Sequence, residues 1–238
     1  MVKTVNLAYK EGTAEKTIAP VITVHINERV RAEREMAMFP KKPIYDKMKR
    51  VGDVFCAVAG LAVLAPLFLV TAAAIVINDF GNPIYTQTRV GKNGTEFKIY
   101  KFRSMYLDAD ARKAELMKLN EGKGANFKIE HDPRITRVGA FLRKTSIDEL
   151  PQLLNILKGD MSVIGPRPFI PEEQKNLPTD RLLVRPGLSC YWQVGGGNRL
   201  SVSEQIELDR KYIKERSVFT DIKIIGKTIL HVLGNKNC

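Results

Sequence analysis

One apolar run dominates the pattern of hydrophobic and polar positions. From Val51 to Ile77 the chain carries no charge after Asp53. At about 1.5 Å per residue, Val54 to Ile77 makes a helix of roughly 36 Å, enough for a bilayer core of about 30 Å. Pro66 sits near its centre with no N–H to donate, which predicts a kink and two half-helices. The run starts about fifty residues into the chain, a poor fit to a signal peptide.

Elsewhere the periods are shorter. Val21 to Ile26 alternates like a strand and Glu28 to Met38 reads as a polar helix. Pro83 to Val90 and Glu96 to Arg103 flank Gly91-Lys92-Asn93-Gly94, which predicts a hairpin with Phe97, Ile99, Lys101 and Arg103 on one face. A helix is expected from Asp108 to Leu119, another up to about Leu157, a short strand at Met161 to Ile164, and a strand at Leu188 to Val194 holding Trp192. Helices at Ser203 to Arg216 and Asp221 to Leu233 close the chain. The apolar surface of the last packs on the core or lies in a membrane interface. The expected class is α/β: an extension over 1–44, a basic juxtamembrane stretch and membrane helix over 45–80, and a small mixed catalytic domain with short strands and amphipathic interfacial helices over 81–238.

Charge changes the picture of the membrane segment. Lys41, Lys42, Lys47, Lys49 and Arg50 precede it, and Arg89, Lys92, Lys98, Lys101 and Arg103 follow it. Cations favour the cytoplasmic side, so basic flanks at both ends point to a re-entrant helix bent at Pro66 rather than a span. The net charge of +12 suits nucleic acid, an anionic membrane surface or phosphorylated substrates. Cys56, Cys190 and Cys238 are odd in number and scattered, like His25, His131 and His231, and indicate neither a disulfide framework nor a zinc site.

Candidate chemistry concentrates between Asp132 and Pro168. Asp148 and Glu149 fall at or just before the helix start marked by Pro151, where free N–H groups and the helix dipole lower carboxylate pKa values and attract phosphate. Two adjacent carboxylates suit Mg2+, which prefers oxygen ligands and substrate phosphates. Ser146-x-x-Glu149 equally fits a capping box, which leaves Asp148 free. Arg167, between Pro166 and Pro168, presents a guanidinium with little freedom to lose, as bidentate phosphate binding or a plain turn. Lys101 and Arg103 fit a phosphate at the membrane surface. Asp108-Ala109-Asp110 matches an acidic metal-binding triplet or a helix's first turn.

These pieces in order resemble one family. Lys49-Arg50-x-x-Asp53, Lys101-Phe102-Arg103-Ser104-Met105, Asp132-Pro133-Arg134-Ile135-Thr136-Arg137, Ser146-Ile147-Asp148-Glu149-Leu150-Pro151-Gln152-Leu153, Gly159-Asp160-Met161-Ser162, Gly165-Pro166-Arg167-Pro168 and Arg185-Pro186-Gly187 with Trp192-Gln193-Val194 are similar to the monotopic phosphoglycosyl transferases, bacterial sugar transferases. The resemblance spans about Tyr45 to Leu230. It implies transfer of a sugar 1-phosphate from a UDP-sugar to polyprenol phosphate at the inner membrane, with the catalytic domain cytoplasmic, starting an exopolysaccharide, capsule or O-antigen. It further implies Asp148 as nucleophile, Glu149 as its partner, Mg2+ at the pair, Arg167 on phosphate and Arg143 near phosphate or lipid headgroups, with Lys101 and Arg103 in lesser versions of that role. Relatives commonly break the membrane helix at Ser-Pro, where this chain has Ala65-Pro66. Many read Ser or Asn, Gly, Arg where this chain has Gly195-Gly196-Gly197-Asn198-Arg199, which displaces the arginine to Arg199. The stretch from Ala111 to Ile129 resembles members that transfer hexose phosphates, glucose or galactose. The expected partners are the UDP-sugar, polyprenol phosphate and membrane lipids, with a homodimer left open and no nucleic acid. On charge alone, a membrane-anchored nucleic-acid-binding or scaffold protein is the alternative.

Overall fold

The computed structural model describes residues 39–109, 111–112 and 132–234. The strand and helix expected before Met38, Asp110 of the acidic triplet and most of the helix expected after Asp108 lie outside the described residues.

Helix α1, Pro43–Asn78, is a single element with Pro66 inside it, so the two half-helices expected there are joined. It also reaches back through the basic stretch, opening on Pro43, whose missing N–H costs nothing in a first turn. Its length and composition suffice to cross a membrane. Along one face, however, it packs on the rest of the chain. Asp53, Ala57, Thr71 and Ile75 are buried, and Leu61, Leu64, Phe68 and Ala72 are partly so, near the 3.6-residue helical period. The opposite face is apolar and exposed, through Val51, Phe55, Val58, Val63, Leu69, Val70 and Ile77.

The hairpin forms as expected. Strands β1, Ile84–Val90, and β2, Glu96–Phe102, pair antiparallel through a tight turn at Lys92–Gly94, where Asn93 takes a φ of 58°. Helix α2, Arg137–Thr145, then leads through a single 3-10 turn, Ile147–Glu149, to helix α3, Gln152–Lys158. Strand β3, Ser162–Ile164, pairs in parallel with β4, Gly187–Ser189, after the short helix α4, Pro171–Gln174. Helices α5, Tyr191–Gly195, α6, Val202–Glu215, and α7, Val218–Leu233, follow. Helix and short strand thus mix as expected, in two separate two-stranded sheets.

Trp192 departs from its expected strand. β4 stops at Ser189 because its partner β3 ends at Ile164, just before Gly165 and Pro166, and proline cannot donate to a ladder. The chain turns helical, and Trp192 is buried on α5 instead.

Two apolar clusters join α1 to the elements that follow it. Ala57 of α1, Ile99 of β2, and Leu153 and Ile156 of α3 form one with Met161, while Ile75, Phe102 and Leu142 form the other. Polar ties reinforce them. Arg50 donates to the α3 carbonyls of Ile156 and Leu157 at 2.6 and 2.9 Å, occupying acceptors that a helix end leaves open. Asp53 accepts from Ser162 Oγ and from the Val163 N–H, both at 3.0 Å.

Gly139 sets the approach of α2. Thr136 caps that helix by accepting from the Gly139 N–H at 2.8 Å, and a Cβ on Gly139 would lie 1.9 Å from the Ser104 carbonyl oxygen. Both chains are backbone there, so neither yields cheaply. Gly139→Ala is expected to destabilise the protein by about 2–3 kcal/mol in denaturant unfolding.

Candidate active site

The two carboxylates sit at a corner. Ser146 ends α2 in the left-handed conformation, φ 57°, with its N–H on the Arg143 carbonyl, so the chain turns sharply into the Ile147–Glu149 turn. No capping bond comes from the Ser146 side chain, which overturns the capping-box reading. A left-handed residue closes the preceding helix; it cannot also be the extended N-cap of the next. Glu149 instead accepts from Lys101 Nζ at 2.7 Å.

Asn155 positions α3 against β2. Its side-chain amide donates to the Lys98 carbonyl at 2.7 Å, and its oxygen accepts from the Tyr100 N–H at 2.9 Å. Asn155 is fully buried, so both bonds form away from water. Lys101, one residue along the strand, is thereby aimed at the start of α3.

Around the pair, Arg167 Nη1 lies 3.8 Å from Glu149 Oε1, and the guanidinium is 5.8 Å from the centre of the Trp192 ring. Arg143 donates from Nε to Ser104 Oγ at 2.8 Å, and its charge acts on Asp148. The two acids are driven apart. Burial pushes Asp148 up to about 6, against the pull of Lys101, with the Glu149 charge adding to the rise. Burial would also raise Glu149, but Lys101 and then Arg167 outweigh it and bring the carboxyl to about 2. Glu149 is therefore a fixed, paired anion. Asp148 carries no hydrogen bond or ion pair among the described residues, leaving its oxygens available for chemistry.

A carboxylate must be ionised to attack. If Asp148 is the attacking group, kcat/KM is expected to be flat above about pH 7 and to fall about tenfold for each unit below 6, read from a pH–rate profile.

Lys101, Arg143, Asp148, Glu149 and Arg167 thus come together, while two other candidates do not join them. Arg103 is buried elsewhere: it donates to the Asp79 carbonyl just past α1 and lies 3.4 Å from the Asp79 carboxylate. β2 ends at Phe102, so the two-residue period that linked Arg103 to Lys101 no longer holds. Arg199 is exposed on the Gly197–Arg199 turn after α5, without a described contact to the cluster.

Arg89 also belongs to this group, although nothing in its own strand marks it. Register explains why: Tyr85 pairs with Lys101, Gln87 with Ile99 and Arg89 with Phe97, so these β1 residues share the Lys101 face. Spacing within β2 identifies that face, but only the closed hairpin adds Arg89 to it. Arg89 donates to the Pro168 carbonyl at 3.1 Å and to Gln87 Oε1 at 2.6 Å. Burial and then the neighbouring Arg167 lower its pKa to about 10.

The carboxylate pair also fits a hard divalent cation. The described residues contain no group of three or more His, Cys, Asp or Glu side chains, so a closed protein cage is not on offer there. Mg2+ needs none, since it takes one or two carboxylates together with substrate phosphates and waters.

The model of a family described as bacterial sugar transferase matches residues 44–235. The chain is 46% identical to the galactosyl transferase CpsE of Streptococcus agalactiae over 191 residues, covering 78% of this chain and 42% of that protein. It is 41% identical to the exopolysaccharide production protein ExoY of Rhizobium meliloti over 195 residues, 79% of this chain and 86% of ExoY. With the undecaprenyl-phosphate galactose phosphotransferase of Salmonella typhimurium it shares 39% identity over 193 residues, 78% of this chain and 40% of that relative. The chain thus spans about two fifths of the length of CpsE and of the Salmonella relative, and most of ExoY.

Proposed function

The chain belongs to the bacterial sugar transferases, and from that premise we propose that it transfers a hexose 1-phosphate from a UDP-sugar to undecaprenyl phosphate. The observation that carries this reading is the uncommitted Asp148 beside a Glu149 held by Lys101 and faced by Arg167. A carboxylate oxygen of Asp148 attacks the β-phosphorus of the donor, the bond from that phosphorus to the oxygen bridging the α-phosphate breaks, and UMP leaves. A phosphosugar now sits on Asp148. An oxygen of undecaprenyl phosphate then attacks the same phosphorus, returning the aspartate as carboxylate and releasing undecaprenyl diphosphosugar. Lys101, Arg167 and Arg143 offset charge on the phosphates. Asp148 and Glu149 would hold Mg2+, which when bound neutralises phosphate charge. Chelation with EDTA is accordingly expected to remove turnover by at least about 100-fold without unfolding the protein, and added Mg2+ to restore it.

Galactose on UDP is the proposed donor, on the printed names of CpsE and the Salmonella relative. Supplying undecaprenyl phosphate with a panel of UDP-sugars and measuring UMP tests the whole reading. Release of UDP instead would indicate transfer of the sugar alone and sink it.

The contacts at the ends of α1 support one membrane arrangement. At its start Lys42 donates to the carbonyls of Lys214 and Arg216, and Tyr45 and Lys49 to Asp221; at its end Asn78 accepts from the Val138 N–H and Arg103 donates to Asp79. Both ends thus bond to the same catalytic unit, which supports a helix entering one leaflet and returning, with Pro66 as its weak point, over a span. The exposed side chains Phe219, Ile222, Ile229 and Leu230 of α7, whose Ile224 is buried in the core, support an interfacial role for that helix too. The catalytic unit then faces the cytoplasm, where UDP-sugars are dissolved. A cysteine placed near Ile77 should resist a periplasmic thiol reagent in cells; its labelling would refute the arrangement.

A further inference from the structure

Arg89 is a charge that the steps above leave unused. Its side chain is largely withdrawn from water, yet its two hydrogen-bond acceptors, the Pro168 carbonyl and Gln87 Oε1, are neutral. No carboxylate lies within ion-pair distance of it among the described residues, and its buried Nε has no partner there. The charges that bear on it are Arg167, which opposes it, and then Glu173 and Glu149, which favour it without bonding to it. A cation largely withdrawn from water and facing another cation is costly unless something negative completes the arrangement. If the task were only to tie β1 to the turn beyond Arg167, a neutral amide would serve without that penalty.

The position of Arg89 indicates what the charge is for. Pro168 directly follows Arg167, and the next residue's carbonyl, Phe169 O, accepts from the Val90 N–H at 2.9 Å. From the other side Arg181 donates to the Arg167 carbonyl at 2.7 Å. The Arg167 turn is thus fixed by the end of β1 on one flank and by Arg181 on the other. Lys101, Arg143 and Arg167 act on Asp148, and Lys101, Arg167 and Arg89 act on Glu149, so the two adjacent acids face four cations. The excess positive charge suits a ligand with more than one negative charge.

We propose that Arg89 is a positioning residue for the diphosphate of the donor: it holds the Arg167 turn through Pro168 and places a second guanidinium charge behind Arg167, so that the diphosphate is drawn to Asp148. The proposal rests on the sugar-phosphate reading for the identity of the donor. The charge and the tether are separable by substitution, because Lys keeps the first and loses the planar fork, while Gln loses the first.

The test uses the full chain in detergent, with UDP as the probe and Tm measured in parallel. Arg89→Gln is expected to weaken UDP binding at least tenfold and raise the KM for the UDP-sugar similarly, with kcat changed far less, and to flatten the salt slope of log Kd, because one screened attraction to the diphosphate is lost. Arg89→Lys is expected to retain the wild-type salt slope and to recover most of the affinity. An Arg89→Gln variant that binds UDP within about twofold of wild type overturns the proposal, as does a lowered Tm with an unchanged salt slope, the sign of a purely structural role. Should Arg89→Gln fail to fold, Arg89→Lys decides alone: a reduced salt slope in that variant overturns the proposal. UDP binding is read without turnover. Absence of UMP release by the wild type would therefore count against the function and leave the role of Arg89 to be judged on binding.

Discussion

Replacing Asp148 with Asn is expected to abolish UMP release and the labelled phosphosugar adduct, a loss of at least about a thousandfold, while raising thermal stability. An amide has no anionic oxygen to attack phosphorus, so the first half-reaction stops before any bond forms. The stability gain has the same origin as the reactivity. Burial lifts the folded pKa of Asp148 from 3.8 to about 6, so its contribution to stability is fully present below about pH 4 and is lost as pH rises through 6. Above that window the protein carries a half-buried anion without a bonded partner, and Asn removes it. A Tm raised by a few degrees at pH 7.5, together with lost turnover, would separate chemistry from unfolding. Labelled sugar phosphate still bound to the Asn variant would exclude Asp148 as the nucleophile.

The second large effect is structural. Arg181 and Asp209 are each only 1% exposed and meet at 2.6 Å, and Arg181 also donates to Gln174 Oε1 and the Arg167 carbonyl, with Phe169 against its guanidinium at 4.3 Å. Arg181→Met leaves Asp209 as an uncompensated buried charge, an expected loss of about 3–5 kcal/mol. The pH dependence should identify the cause. Burial already raises Asp209 to about 6 despite the opposing pull of Arg181, so removing the arginine moves its titration to higher pH. A group with a raised folded pKa stabilises below its unfolded value and loses that contribution as pH rises through the folded one. The variant is therefore expected to gain Tm on acidification from pH 8 to 6 more than wild type does. Equal Tm shifts in both proteins over that range would point to lost packing instead.

What the chain displays locally was legible in it. The hairpin, the acidic pair ahead of Pro151 and the long apolar helix each rest on spacing within one segment, and all three are found. Where the structure departs from the local pattern, a partner from elsewhere in the chain is the cause. Ser146 looks like a cap because Glu149 follows at the right distance, but Lys101, 48 positions away, takes that carboxylate. Trp192 suits a strand by composition, and the three residues of β3 leave it nothing to pair with. Arg103 shares a period with Lys101 until the strand ends beneath it, and Arg89 is recruited by cross-strand register. Long-range pairing decides these cases, and no single window of sequence contains it.

The seam between α1 and α3 bears on how the protein can be handled. Gly60 of α1 leaves only 3.1 Å between a would-be Cβ and Leu153, and Leu61 and Leu64 complete the cluster over Ile156. The same α3 starts just behind Asp148 and Glu149. A shortened chain begun after Asn78 would therefore strip the support from the helix behind the acids, and with it the two hydrogen bonds from Arg50. The long apolar helix and the elements behind the acids make one folding unit across this seam, so deletion of α1 is expected to cost the fold rather than yield a water-soluble form. Solubility would have to come from recolouring the outward face of α1, at Val51, Phe55, Val58, Val63, Leu69 and Val70, with its inward face untouched.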